Sequence, residues 1–189
     1  MAPIDLLAAV LTLVNVLLIV RRSLWNYPFG LAAVALSAVV FWRERLYSDV
    51  LLQGFFFLVQ FYGWWVWARH READGGVAVA WLEWRQRGTA AAITVVATLG
   101  WGTLMHRLTD AALPWWDAAN LMLGVAAQLL MSRRYAENWV LWILVDIEAT
   151  GLYAAKGLTA FTLLYVVLTA MASWGFWSWW RDSRRPAGL

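Results

Sequence analysis

Asp146 and Glu148 stand inside an apolar stretch, Trp139–Ala155, of a 189-residue chain. An ionisable side chain in such surroundings is expensive to bury, so each is read first as a site of function. Trp139 and Trp142 lie seven and four residues before Asp146, and Tyr153 lies seven after it. On a helix this spacing makes one face read Trp-Trp-Asp-Tyr. A carboxylate bordered by electron-rich rings has the chemistry of a site for an organic cation. The competing reading is a carboxyl that only hydrogen-bonds a neighbouring helix. Glu148, two residues on, points about 200° away round the helix and belongs to another face. There it either pairs with a residue of another helix or stays protonated.

Amide side chains form two further stripes. Gln53, Phe57, Gln60 and Trp64 fall at i, i+4, i+7 and i+11, and Asn120 and Gln128 lie eight residues apart. Amides interleaved with rings suit a solute that joins a planar ring to hydroxyl groups, although a single amide serves equally well in helix packing. Other chemistries are missing. There is no cysteine, hence no disulfide, zinc–thiolate site or thiol nucleophile. His70 and His106 sit beside charged residues and do not form a haem-ligating pair in the membrane. No phosphate-binding glycine loop and no hydrolase motif occurs, so neither ATP hydrolysis nor lipid hydrolysis is expected, nor is any cofactor or metal.

The elements that must hold these residues follow from composition. The chain is 62% hydrophobic and 14% charged, with 16 Trp, far from the balance of a soluble domain. Its pI of 9.6 comes from arginines, single and paired, between apolar runs, which is the pattern of membrane loops and not of a nucleic-acid face. Seven runs are long enough to span a bilayer: Ile4–Val20, Leu24–Trp42, Val50–Trp67, Thr89–Met105, Ala118–Ser132, Trp139–Ala155 and Thr159–Trp180. The first lacks the basic start and cleavage site of a signal peptide. Tyr27, Trp42, Trp67, Trp101, Trp115, Trp116, Trp139, Trp179 and Trp180, at or near run ends, are expected to anchor at the membrane interface. Val77–Arg85 is read as an interfacial segment. Eleven Lys and Arg on one side against four on the other predict an outside N-terminus and a cytoplasmic C-terminus.

A shift of 112 residues lays the chain on itself without a gap. Arg21-Arg22 meets Arg133-Arg134, Asn26 meets Asn138, and Gly63-Trp-Trp-Val-Trp67 meets Gly175-Phe-Trp-Ser-Trp179. Gly63 and Gly175 are expected to permit close helix approach. Each copy holds three spans, so a second copy in the same orientation needs one span between them. The expected architecture is an all-α integral membrane protein of seven transmembrane helices, with parallel 3+1+3 repeats. It runs as a first repeat (1–67), a cytoplasmic loop (68–88), a linker helix (89–107), a second repeat (113–180) and a tail (181–189).

Leu46-Tyr-Ser-Asp49, Leu52-Gln-Gly54 and Tyr62-Gly-Trp64 resemble the first-half signature of the Pnu vitamin transporters. Asn138-Trp-x-x-Trp142-x-x-x-Asp146 and Tyr153-x-x-x-Gly157 resemble the second-half signature. The resemblance covers about Leu24–Trp67 and Gln128–Trp179. It implies a SWEET-like fold, a homotrimer, and facilitated diffusion of a vitamin precursor that a cytoplasmic kinase then traps. The branches of the family take nicotinamide riboside, thiamine or riboflavin. A cationic ring carried on a hydroxyl-rich ribose matches the stripes best, so nicotinamide riboside is the expected substrate. Thiamine, also cationic, is the alternative that Glu148 could favour. A membrane subunit that transports nothing is the reading from a different class.

Overall fold

The computed structural model describes residues 3–43, 47–71, 76–108, 114–155 and 159–184. Seven helices follow in order: α1 Pro3–Val20, α2 Asn26–Arg43, α3 Tyr47–Arg69, α4 Trp84–Leu108, α5 Pro114–Ser132, α6 Asn138–Ala155 and α7 Thr159–Asp182. At 1.5 Å per residue, helices of 18 to 25 residues are about 27–38 Å long, which matches a hydrocarbon core of roughly 30 Å. Each contains one of the seven apolar runs almost entire. The largest departure is α4, which starts at Trp84 instead of Thr89. Among the described residues α4 is also the helix that qualifies as a span on length and sustained apolarity. The others carry Asn, Gln, Tyr and Trp on faces turned inward.

Two three-helix groups, α1–α3 and α5–α7, pack against each other through α1 on α7 and α3 on α5, while α4 packs on α5. Under the 112-residue shift, α1 becomes α5 and α3 becomes α7, so the two contacts between the groups are equivalents of one another. The symmetry extends to single bonds. Trp67 Nε1 donates to Met131 O at 3.1 Å, and Trp179 Nε1 donates to Ile19 O at 3.2 Å. Each indole adds a second donor to a carbonyl at the end of a helix in the other half, where Met131 O and Ile19 O also accept from Arg134 N and Arg22 N. Tyr27 meets Trp67 edge-on at 5.6 Å and 89°, and Trp139 meets Trp179 with the same distance and angle. These rings reach their places because the facing residues are Gly63 and Gly175. An added Cβ would lie 2.8 Å from Tyr27 Oη at the first and 2.7 Å from the Trp139 ring at the second.

Four expected interface anchors therefore belong to the core. Tyr27, Trp67, Trp139 and Trp179 are buried, because the groups meet at this end and the indoles are used as donors between them. Trp42, Trp101, Trp115, Trp116 and Trp180 remain exposed, as an anchor requires.

The same end carries a second symmetric device. Arg22 and Arg134 have φ of 55° and 68°, a left-handed conformation that costs a side-chain-bearing residue about 1–2 kcal/mol. Both close their helices as Schellman caps, with Arg22 N bonded to Ile19 O and Ser23 N to Leu18 O, and Arg134 N to Met131 O and Tyr135 N to Leu130 O. Glycine would be the relaxed choice at both positions. Arginine is used because its side chain holds the segment leading into α4: Arg22 Nη1 donates to Val77 O at 3.2 Å, and Arg134 Nη1 to Ala78 O at 2.8 Å. Ala80 then exchanges backbone bonds with Arg134 and Ala136, and Glu137 accepts from Leu82 N and from Arg87. Val77 is buried against Trp67 and Trp179. The segment is thus a strap across the junction of the two halves. Asp182 adds a link from the end of α7 to Arg22 at 3.4 Å.

Candidate functional site

Directly above the ring cluster lies a cavity of about 310 Å³, within the ordinary range for small-molecule sites. Both halves line it, and they do so with equivalent positions. Val16 and Gln128, Gly30 and Trp142, Val34 and Asp146, Gln53 and Tyr165, and Gln60 and Ala172 are pairs separated by 112 residues, with both members in the wall. Ile19/Met131, Ala33/Val145 and Phe56/Leu168 repeat the relation. The cavity therefore sits on the pseudo-axis. At five of these eight pairs the two halves present different chemistry, so the shape is symmetric and the lining is not.

Asp146 lies in the wall, 6% exposed, with Trp139 and Trp142 on the same helix. Among the described residues no Lys, Arg or His pairs with its carboxylate. Gln53, Gln60 and Gln128 also line the cavity, and the last two are buried. Tyr153 lies in α6, but its side chain falls outside the described residues.

Three expected members stand elsewhere. Phe57 is exposed and packs edge-on against Phe61 at 5.2 Å. The inward face of α3 is centred between Gln53, Phe56 and Gln60, and Phe57 lies about 100° round the helix from Phe56, on its outer edge. Trp64 is one turn too far along and stacks on Tyr27 at 5.9 Å, beside the ring cluster. Asn120 lies beside the Glu148 side chain and is not part of the cavity wall. Eight residues advance a helix by 80° beyond two turns, so Asn120 and Gln128 do not share a face closely. Glu148 has the partner on another helix that the sequence allowed, away from the cavity.

Thr12, Asn15, Ser37 and Tyr165 complete the polar lining, together with Asn26, which the sequence marks only as the repeat match of Asn138. Thr12 and Asn15 share one face of α1 and Asn26 and Ser37 one face of α2, but each face is otherwise apolar. A lone Asn or Thr in an apolar run reads the same whether it serves a solute or a neighbouring helix.

The sequence model of the nicotinamide mononucleotide transporter family matches residues 2–181. The chain belongs to this family. The nicotinamide riboside transporter PnuC of Escherichia coli K12 is 31% identical over 84% of this chain and 77% of its own length. The PnuC of Neisseria mucosa is 32% identical over 96% of this chain and 73% of its own. The riboflavin/roseoflavin transporter RibM of Streptomyces davaonensis is 30% identical over 97% and 87%. The crystal structure of a vitamin B3 transporter PnuC superposes with a TM-score of 0.81, at 30% identity, covering 96% of this chain and 82% of that one. The seven-helix architecture is therefore that of the nicotinamide mononucleotide transporter family, and the chain is a multi-pass membrane transporter.

Proposed function

We propose that the cavity carries nicotinamide riboside across the inner membrane of a bacterium by facilitated diffusion. The observation that carries this reading is Asp146, a buried carboxylate beside two indoles in a cavity between the halves, with no described cation opposite. A pyridinium ring offers such a wall both charge and a flat face. Its ribose offers hydroxyls to the amides of Gln53, Gln60 and Gln128. Three of the relatives named above fit the assignment, since they are PnuC proteins. With no nucleotide-binding motif in the sequence, net uptake is driven by a cytoplasmic kinase that removes the riboside as it enters. The unit is a homotrimer in lipid, with the arginine-rich end and the C-terminus in the cytoplasm.

Riboflavin is the second reading, favoured by the long match to RibM. A neutral flavin has no use for the carboxylate, so it would bind independently of Asp146. Thiamine is disfavoured because Glu148 is engaged by Asn120. Isothermal titration of the purified protein with the three vitamins tests the proposal. The riboside is expected to bind tightest, and a protein that binds riboflavin but not the riboside overturns it.

A further inference from the structure

One triad of wall positions is built in opposite ways in the two halves. Asn15, Gly30 and Gln60 come from α1, α2 and α3, and their equivalents at the 112-residue shift are Ala127, Trp142 and Ala172 from α5, α6 and α7. In the second half the two outer members are small and buried, and the central one is an indole. In the first half the central side chain is missing and the outer two are amides. Their oxygens converge on the space it leaves: a Cβ added at Gly30 would strike Gln60 Oε1 and would lie 3.0 Å from Asn15 Oδ1. Asn15 Oδ1 is buried and has no hydrogen-bond partner, although a buried acceptor left unpaired is costly. All three residues line the cavity.

We propose that Asn15, paired with Gln60 over Gly30, is a specificity-determining contact that accepts hydrogen bonds from the sugar hydroxyls of the solute. The proposal deepens the transport reading given above and rests on it. Trp142 and Asp146 of the second half then hold the cationic ring, and Asn15 and Gln60 of the first join Gln128 in holding the polyol. Gly30 is part of the device, because any side chain there would fill the space between the two oxygens.

The test compares two ligands that share a charged carboxamide ring, nicotinamide riboside and 1-methylnicotinamide, by titration of purified wild type and Asn15→Ala. The second compound carries a methyl group where the first carries ribose. Asn15→Ala is expected to weaken riboside binding about tenfold while leaving 1-methylnicotinamide within twofold of wild type. Gly30→Ala is expected to give the same selective loss, and it carries the test should Asn15→Ala not be recovered folded. Equal loss for both ligands would place the amides on the ring or in the packing and overturn the proposal, as would riboside affinity unchanged in both variants. A wild-type protein that binds neither ligand would instead overturn the transport reading beneath it.

Discussion

Asp146 concentrates the charge of the cavity at one point, and its worth can be measured there. Asp146→Asn keeps the shape and removes the charge, so a cationic solute should lose one charge-assisted contact of about 1.5–3 kcal/mol, or roughly ten- to hundredfold in affinity. The folded protein should still reach the membrane. Glu148→Gln is the matched control: it removes the carboxylate beside Asn120 outside the cavity and should leave affinity near wild type. Titration of both variants with nicotinamide riboside separates the two carboxylates, and equal affinity for wild type and Asp146→Asn would refute the cation site. The sequence pointed to Asp146 because an acid in an apolar run has few explanations. It did not point to Asn15, which stands between Val14 and Val16 with Thr12 the nearest polar residue and whose relevance depends on Gly30 and Gln60, distant in sequence. Phe57 and Trp64 stand outside the cavity for a simpler reason: a four-residue stripe fixes a helix face only to within some tens of degrees.

Among the elements, the helix ends are where sequence reading went furthest astray. Tryptophan closing an apolar run has the same composition whether it faces lipid headgroups or the end of another helix. Only the partner distinguishes them, and Met131 lies 64 residues from Trp67. The repeat held the missing signal, since Trp67 and Trp179 share a Gly-x-x-x-Trp pattern that an anchor would not need. Trp67→Phe should remove the indole donor from Met131 O, which keeps its bond from Arg134 N, and destabilise the protein by about 0.5–1.5 kcal/mol. Trp179→Phe, its equivalent, should match it. Thermal melts in detergent check both, and a silent substitution at either position would show that the bond contributes nothing. The strap was likewise legible only in outline. Val77–Arg85 reads as an interfacial segment, but it is held across the junction by Arg22 and Arg134, whose backbone conformation no composition predicts.

For the whole molecule, the fold was nearly complete in the sequence: apolar runs gave the seven helices, and one offset gave the relation between halves. That relation bears on transport. Two groups joined across a shared cavity can rock about it without any domain that binds nucleotide. Proteoliposomes should therefore equilibrate the riboside and stop. Accumulation of free, unmodified riboside above its outside concentration, with no ion gradient imposed, would contradict the facilitated mechanism. Reporter fusions at Leu189 address the orientation: fluorescent protein should be bright there and alkaline phosphatase silent.

The exchanged indoles imply something about how the polypeptide could be made. Trp67 and Trp179 each complete a helix end belonging to the other group, and α4 lies along α5. Each group thus carries the key to its counterpart. A gene divided between Leu108 and Pro114 should yield two separate chains that find one another in the membrane, co-purify without a tether and bind the riboside together. Pull-down through a tag on the first chain measures this, and the paired substitution Trp67→Phe with Trp179→Phe should lower recovery of the second. Fragment complementation of this kind would mean that the covalent link between α4 and α5 sets the order of assembly, while recognition between the halves needs the two tryptophans.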